Sequence, residues 1–204
     1  MFDLTDDEGR FLVNLVRDTV KTFIDKGQTL GPPKDTKQKF YEKCGVFVTI
    51  HMINKNGKKL RGCIGYPYPS SSLIEDAIDV AINAATKDPR FPPMKVNEIN
   101  KCVFEVSVLT PIELIQVNNP KEYVKQIKLG QDGLIVEKGY SRGLLLPQVP
   151  VELEWGKEEF LSQCCIKAGL TPNSWLTKDI KIYKFNAIIF EEQTPNGRIE
   201  RLNL

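Results

Sequence analysis

The chain has few of the features that mark membrane, disulfide-bonded or metal-binding proteins. It contains a single histidine, and its five cysteines are odd in number and include no Cys-x-x-Cys pair. The sequence therefore predicts neither a disulfide framework nor a structural metal site. It also lacks any apolar run near the roughly 20 residues that a membrane-spanning helix requires, so we expect no association with a membrane.

The sequence also shows no marked excess of either charge. It has 28 lysines and arginines against 26 aspartates and glutamates, a formal net charge of +2, and the two signs are mixed along the chain. A nucleic-acid-binding domain usually concentrates basic residues on one surface, so nucleic acid is not indicated as a partner. The N-terminus is acidic where a signal peptide would be basic, and we expect a cytoplasmic protein. Plentiful lysine and isoleucine would suit a thermophile.

Glycine-rich phosphate-binding loops are absent as well. No Gly-x-Gly-x-x-Gly follows a predicted strand, and the chain contains no Gly-Lys-Ser or Gly-Lys-Thr. The sequence therefore predicts neither type of nucleotide-binding fold and no cofactor.

The first half of the chain predicts two long helices and a β-hairpin. Thr5 and the glutamate three residues later have the spacing of a capping box, and apolar residues then recur at helical spacing. Val46–Ile53 is rich in β-branched residues, and a turn signal after it returns the chain in a second strand, Lys58–Tyr66. Ser72 begins a second capping box and a second amphipathic helix.

The second half predicts shorter elements and a polar tail after the last strand. Strands are predicted at Cys102–Thr110, Leu134–Glu137, Ser141–Leu146 and Ile180–Glu191, and helical turns at Pro120–Ile127 and Glu158–Gly169. The predicted elements do not follow the regular strand–helix–strand alternation of a parallel sheet, and hairpins are prominent among them. The pattern therefore favours an α+β fold with a mainly antiparallel sheet and flanking helices.

One predicted strand, Leu60–Tyr66, carries an unusual set of side chains. It combines a cation, Arg61, with a thiol, Cys63, and two glycines, Gly62 and Gly65. Glycine weakens a strand, so two glycines within four positions indicate a β-bulge or the close approach of another backbone or a ligand. The segment therefore predicts a functional site in which both glycines are candidate ligand-binding positions.

Five short sequence segments occur in a characteristic order along the chain: Gly45–Thr49, Leu60–Gly65, Asp88–Met94, Val106–Thr110 and Leu146–Val149. Together they resemble the AMMECR family, and the resemblance covers almost the whole chain as a single domain, residues 1–204. It implies a two-lobed α+β fold with a cleft lined by Leu60–Gly65. The larger lobe would hold both termini, and the smaller lobe would lie at about residues 112–175.

The resemblance implies no known reaction. Bacterial members of the family occur beside a radical-SAM protein and a dioxygenase-like protein. This association suggests a modification pathway, with such a protein as a partner. A shared fold does not define chemistry, so the role of each candidate residue depends on its own surroundings.

Cys63 has two interpretations. Its thiolate would be a nucleophile or a redox group if Arg61, or the helix that begins near Ser72, stabilised the negative charge. The alternative is a small buried apolar side chain, since free cysteine is among the most buried residue types. If Cys63 is buried against apolar side chains, the catalytic interpretation fails.

His51 is the only histidine that could assist Cys63. A hairpin loop of two or four residues places His51 on the face of Gly62 and Ile64, away from Cys63, because side chains alternate along a strand. A three-residue loop, Lys55–Gly57, places it on the face of Cys63 instead. The turn sequence allows both, and we favour a structural or surface role for His51.

Three charged residues are candidate ligand-binding groups. Arg61 could grip a carboxylate or a phosphate with two parallel hydrogen bonds, or it could be an ordinary ion-paired arginine. Asp88 and Arg90 lie in a stiff, proline-rich loop, and such loops often carry sites. The alternative for this pair is mutual pairing that holds the loop, which we favour slightly.

Glu105 and Ser107 lie on one face of the strand predicted at Cys102–Thr110. A buried carboxylate needs a partner, and Arg61 or Arg90 is the natural candidate for Glu105. Glu105 is therefore either a catalytic acid-base group or one half of an ion pair, and the ion pair is favoured. Ser107 joins the candidate ligand-binding residues.

Two functions fit these residues. The first is an enzyme or enzyme subunit that acts on a small anion or a modified macromolecule, in which Arg61 binds the anion, Cys63 attacks or senses, and Glu105 assists proton transfer. The second is a non-catalytic binding or adaptor module that recognises a protein or nucleic-acid partner, because the catalytic set is incomplete. We favour the first.

Overall fold

The computed structural model describes residues 2–55 and 57–202, and these fall into two compact units. The first unit consists of residues 2–109 and 188–202, and the second of residues 110–187. Each unit has its own cluster of buried apolar side chains, and so a core of its own. The cleft that the family resemblance implies stays a prediction.

The two long helices of the first unit, α1 (Asp6–Lys26) and α2 (Leu73–Thr86), begin where the sequence predicts them. The unit also contains α3 (Val96–Ile99), which was not predicted, and a short 3-10 helix at Gln38–Tyr41. Thr5 and Glu8 exchange side-chain and backbone hydrogen bonds in a complete capping box. At the start of α2, the Glu75 carboxylate accepts the Ser72 N–H. Gly27 ends α1 at a φ of 67°, in the left-handed region that glycine adopts readily.

The sheet of the first unit is antiparallel wherever its pairing is defined. Its strands are β1 (Val46–Asn54), β2 (Gly57–Tyr66), β3 (Cys102–Leu109), β8 (Ile199–Leu202) and the Ile188–Glu192 part of β7 (Lys181–Glu192). They follow the order β2-β1-β3-β7, and β8 pairs with β7. The β1–β2, β1–β3 and β7–β8 pairs are antiparallel.

The C-terminal segment corrects the prediction of a polar tail. In β8, Leu202 lies opposite Ile189 and Ile199 lies opposite Glu192. Ile199 is buried and belongs to the core of the first unit. Two apolar residues among charged neighbours are too short a pattern to predict a strand, and it is pairing with β7 that supplies the missing stability.

Both long helices pack against one face of this sheet. Helix α2 contacts β1 and β2, and α1 contacts β3 and β8. Alternating strand residues such as Val48, Ile50 and Phe104 are fully buried in the core that the helices share with the sheet. The intervening residues of each strand therefore lie on the opposite face.

The β1–β2 hairpin contains a β-bulge. Ile50 lies opposite Gly62, but the next residue, His51, lies opposite Leu60, so Arg61 is an extra residue in β2. The glycine pair of β2 predicted a bulge or a close approach, and the bulge is present.

The bulge changes the outcome of the loop-length prediction for His51. Asn54 pairs with Gly57, which leaves a two-residue loop whose second residue, Asn56, lies outside the described residues. Such a loop was expected to turn His51 away from Cys63. That expectation is wrong, because the extra residue at the bulge shifts the pairing of β1 and β2 by one position. The shift places the side chains of His51 and Cys63 on the same face of the sheet.

The second unit is built from short elements. They are β4 (Glu113–Leu114), α4 (Tyr123–Gln126), β5 (Asp132–Lys138), β6 (Ser141–Leu145), α5 (Val149–Glu152) and α6 (Lys157–Lys167), with 3-10 helices at Pro120–Glu122 and Pro172–Leu176. The Lys181–Ala187 part of β7 lies between β4 and β5, and β5 also pairs with β6. All three pairings are antiparallel. Cys164 and Cys165 of α6 are buried in this core, as predicted.

Helices and antiparallel strands are mixed in both units, which confirms the predicted α+β class. In the described ranges, the model contains no helix that combines the length and the apolar character needed to cross a membrane.

Candidate functional site

The polar face of the first unit is the side of its sheet opposite α1 and α2. We define it by Thr49, His51, Cys63, Glu105 and Glu191, each of which has at least one strand neighbour in the apolar core or packed against it. Polar groups in the middle of a sheet lose hydration and need partners. Their grouping on this face therefore marks a candidate site, and the partners of each group decide what the site can do.

Cys63, Thr49 and Glu105 form a row across three neighbouring strands. Thr49 lies opposite Cys63 on one side and opposite Glu105 on the other, and directly opposed Cβ atoms are roughly 5 Å apart. The Thr49 hydroxyl donates to the Cys63 sulfur at 3.5 Å. The Ser107 hydroxyl donates to Glu105 Oε1 at 3.2 Å. The row thus places a thiol, a hydroxyl and a carboxyl group side by side.

Cys63 is half-buried and lies outside the apolar core, so the condition that would exclude a catalytic role is not met. Burial raises the pKa of its thiol. The Thr49 hydroxyl and the Arg90 guanidinium oppose this rise, while Glu105 and Asp88 add to it. The thiol is therefore protonated at neutral pH, and any nucleophilic role requires a group that accepts its proton.

Arg61 is buried and bonded to α3 and the loop before it. Its Nε donates to Glu98 Oε1 at 2.8 Å and its Nη2 to the Pro92 carbonyl at 3.0 Å. The predicted pairing of Glu105 with Arg61 or Arg90 is wrong, because both guanidinium groups are bonded to other carboxylates. Arg61 therefore ties the bulge of β2 to α3.

Asp88 and Arg90 hold the free edge of β2. Asp88 Oδ2 accepts the Cys63 N–H at 2.8 Å, and Arg90 Nη2 donates to the Cys63 carbonyl at 3.3 Å. Arg90 also donates to Asp88 Oδ2 at 2.7 Å, which confirms the predicted mutual pairing. The Arg90 guanidinium, followed by the Cys63 N–H, keeps the pKa of Asp88 well below its usual range. The two side chains thus satisfy backbone groups that a further strand would otherwise pair.

Both glycines of β2 allow close packing. A Cβ atom on Gly62 would lie 2.1 Å from the Ala84 carbonyl oxygen of α2, and one on Gly65 would lie 2.1 Å from the Phe47 ring. The close approach that the sequence predicted is therefore made by a helix backbone and an aromatic ring. Whether a ligand also contacts Gly62 or Gly65 stays a prediction.

A second group of polar side chains, the His–Glu cluster, consists of His51, Glu105 and Glu191. One potential ligand atom from each residue lies within 4.8 Å of the other two. His51 Nδ1 is 3.6 Å from Glu191 Oε1, and the Lys58 ammonium forms an ion pair with the same oxygen. Glu105 thus belongs both to the row and to this cluster.

The two carboxyl groups of the cluster differ in acidity. Burial, together with the neighbouring Glu191 carboxylate, raises the pKa of Glu105. Burial would also raise the pKa of Glu191, but His51 and Lys58 outweigh it and lower that pKa. Glu191 is consequently the ionised partner of Lys58, and Glu105 is the carboxyl group that retains a proton more readily.

Glu191 was missed by the sequence analysis. It ends the predicted strand Ile180–Glu191, which is rich in isoleucine, and it follows Phe190, which belongs to the core. A carboxylate at the alternate position of an otherwise apolar strand was the available signal. Its proximity to His51 could not be predicted, because 139 residues separate the two, and only the sheet order β2-β1-β3-β7 brings them together.

Comparison with known proteins gives a consistent result over the full chain. A family model described as AMMECR1 matches residues 13–190. Protein PH0010 of Pyrococcus horikoshii is 52% identical over 202 residues, covering 98% of each chain. Protein MJ0810 of Methanocaldococcus jannaschii is 50% identical over 196 residues, covering 96% of each. The crystal structure of PH0010, titled an uncharacterised protein, matches with a TM-score of 0.91 at 51% identity and covers all of both chains.

Proposed function

The chain belongs to the AMMECR1 family, and we propose that it is an enzyme, or the subunit of an enzyme, that acts through the row Cys63, Thr49 and Glu105. The single observation that supports this proposal is the placement of a thiol, a hydroxyl and a carboxyl group side by side on the polar face. Cys63 is the nucleophile and Glu105 the proton acceptor, with the Thr49 hydroxyl between them.

The proposed chemistry is reversible addition of the thiol to a carbonyl carbon. The Thr49 hydroxyl, which donates to sulfur in the resting structure, turns to donate to Glu105. The Cys63 S–H bond then breaks as its proton passes to the Thr49 oxygen, the original hydroxyl proton passes to the Glu105 carboxylate, and sulfur bonds to the carbonyl carbon. The electron pair of the carbonyl double bond moves to oxygen, which then takes the proton from Glu105. The raised pKa of the thiol supports the need for this proton acceptor.

Arg90 is the group that we assign to an anionic part of the substrate. Its side chain is 53% exposed although it bonds to Asp88, and its Nη2 lies beside the Cys63 carbonyl. Arg61, the residue first considered for this role, is buried and already bonded to Glu98. We therefore infer an anionic carbonyl compound as substrate. A modification pathway with a radical-SAM or dioxygenase-like partner is proposed separately, on the family association alone.

The labelling rate of each cysteine in the native protein tests this proposal. We expect iodoacetate, an anion, to label Cys63 faster than it labels the buried Cys44 and Cys102, as measured by mass spectrometry. Glu105→Gln should slow labelling of Cys63 about tenfold or more, the usual scale of general-base assistance. A Cys63 no more reactive than Cys44, or unaffected by Glu105→Gln, would overturn the proposal.

Iodoacetamide is the neutral control for the anion-binding role. Arg90→Gln should slow iodoacetate far more than iodoacetamide, and Arg90→Lys should restore part of the difference because it keeps the charge. Equal loss with both reagents would show that Arg90 acts only by holding Cys63 in place.

A binding or adaptor function is the second candidate. It is favoured by the internal bonding of the motif, since Arg61 and Asp88 are both buried and bonded within the unit. Such a module should co-purify with a stoichiometric partner protein and should show no Glu105-dependent labelling of Cys63.

A further inference from the structure

We propose that His51, Glu105 and Glu191 bind one divalent transition-metal ion, and that the Lys58 ammonium takes the place of the ion when none is bound. The three side chains extend from β1, β3 and β7 onto the polar face. Strands fix side chains more firmly than loops do, which favours a preformed site. The binding itself does not depend on any reaction of Cys63.

The spacing of the cluster is close to that of a metal site. Zinc bonds to imidazole nitrogen and carboxylate oxygen are about 2.0–2.2 Å long, so ligands around one ion are roughly 3.4 Å apart. His51 Nδ1 and Glu191 Oε1 are already 3.6 Å apart, and all three ligand atoms lie within 4.8 Å of one another.

His51 supplies an independent indication that the cluster binds a ligand. Its Nδ1 is inaccessible to solvent and has no hydrogen-bond partner within the described ranges of the chain. A buried nitrogen without a partner is unfavourable, and native structures rarely retain one without a reason. Because Nδ1 faces Glu191, an ion bound between them would give the nitrogen the partner that it lacks.

The charges of the cluster also favour a divalent ion. Two carboxyl groups lie close together, and the ammonium of Lys58 is bonded to only one of them, Glu191. A divalent ion compensates both carboxylates at once. The Lys58 side chain is 39% exposed, so its ammonium can move into solvent when an ion binds.

The ligand types select among metals. One imidazole with two carboxylates suits zinc, cobalt, iron or manganese, whereas calcium and magnesium prefer sites made only of oxygen. We therefore expect Zn²⁺ and Co²⁺ to bind and Mg²⁺ to compete poorly.

One consequence of the metal site rests on the proposed function. An ion bound to Glu105 would occupy the carboxylate that the proposed function assigns as acceptor of the Cys63 proton. Zn²⁺ should therefore slow labelling of Cys63, and the Cys63→Ser variant separates this effect from binding.

Calorimetric titration of the chelator-treated protein with Zn²⁺, and the visible spectrum of the Co²⁺ form, test the site directly. We expect one ion per chain, and affinity about tenfold weaker or worse in His51→Ala and in the nearly isosteric Glu191→Gln. Lys58→Met should bind Zn²⁺ more tightly, because it removes the competing ammonium. This gain cannot arise from misfolding.

Each outcome decides for or against the site. The proposal would be overturned if the parent protein bound no Zn²⁺, or if His51→Ala and Glu191→Gln bound it as tightly as the parent protein does. Weaker binding by Lys58→Met than by the parent protein would also overturn it. Loss of binding in Cys63→Ser would place the ion elsewhere. If Zn²⁺ binds as expected while labelling of Cys63 does not depend on Glu105, the metal site stands and the proposed function fails. If Zn²⁺ does not bind while labelling of Cys63 does depend on Glu105, only the metal site is rejected.

Discussion

Gly62 is the residue of β2 with the least room for a side chain. A Cβ atom there would lie 2.1 Å from the Ala84 carbonyl oxygen, and a backbone oxygen of a packed helix cannot move aside as a flexible side chain could. The same test at Gly65 meets only the Phe47 ring, which can rotate. The glycines of one strand thus differ in how strictly they are required.

We expect Gly62→Ala to lower the free energy of unfolding by about 3 kcal/mol, at the upper end of the usual cost of overpacking. Urea denaturation measures this loss. Gly31→Ala is the matched control, because a Cβ atom there meets nothing within 4 Å and Gly31 has no positive φ. That variant should be neutral or slightly stabilised through its unfolded state. A Gly62 variant as stable as the Gly31 variant would contradict this account.

The sequence predicted that these glycines mark a close approach, and that prediction is confirmed. It could not distinguish a ligand from a helix, because the sequence between Gly62 and Ala84 does not specify how α2 crosses β2. For the same reason Glu98, the carboxylate that binds Arg61, was not predicted, and Glu105 was named in its place. Several carboxylates of this chain could pair with Arg61, and only tertiary packing selects Glu98, whereas Asp88 and Arg90 are two residues apart and their pairing was predicted.

At the scale of elements, the start of α1 depends on one carboxylate. Glu8 accepts the Thr5 N–H and pairs with the ammonium groups of Lys37 and Lys39. Burial would raise the pKa of Glu8, but the Thr5 N–H and the two lysines lower it to about 2. Glu8 therefore joins the first turn of the helix to the segment that follows α1.

Glu8→Gln should cost about 1 kcal/mol at pH 7, as the loss of a helix cap usually does. Because the folded pKa lies below that of the unfolded chain, the contribution of the charge is complete above about pH 5 and disappears as the pH falls through 2. The difference between Glu8→Gln and the parent protein should therefore shrink in acid, as thermal unfolding from pH 7 to 2 would show. Asp7→Asn, an exposed neighbour whose side chain bonds only to the exposed Arg10 in the described part of the chain, should cost less than Glu8→Gln at pH 7.

Helices and strands could be predicted where the sequence pattern that specifies them lies within a few neighbouring residues. Both capping boxes lie within four residues of sequence, and both helices begin where they were expected. The face of His51 was not predictable, because the bulge at Arg61 depends on the bonds of that side chain to Glu98 and Pro92. Strand parity alone therefore gave the wrong face for the observed loop length.

On the scale of the whole molecule, the first unit contains residues from both ends of the chain. Arg17 of α1 and Glu192 of β7 form a buried ion pair, with Arg17 Nε donating to Glu192 Oε1 at 2.5 Å. Arg17 Nη2 also donates to the Cys102 carbonyl at 2.6 Å, and Glu192 Oε2 accepts the Phe104 N–H at 3.0 Å. The pair thus connects α1, β3 and β7 within one core.

Removal of either partner leaves the other charge buried and unpaired, which typically costs about 3–5 kcal/mol. We therefore expect a loss of that size in urea denaturation for Arg17→Met and for Glu192→Gln. The double variant should lose about 2 kcal/mol less than the sum of the two, because the second change removes a group that the first has already left without its partner.

Arg201 and Asp3 provide the matched control, since they also join the two ends of the chain but are 37% and 64% exposed. Exposed ion pairs contribute about 0–1 kcal/mol to stability. A double-mutant cycle of Arg201 and Asp3, made in the same way as for Arg17 and Glu192, should therefore show almost no coupling energy. If both cycles gave the same coupling energy, burial would not be what makes the Arg17–Glu192 pair important.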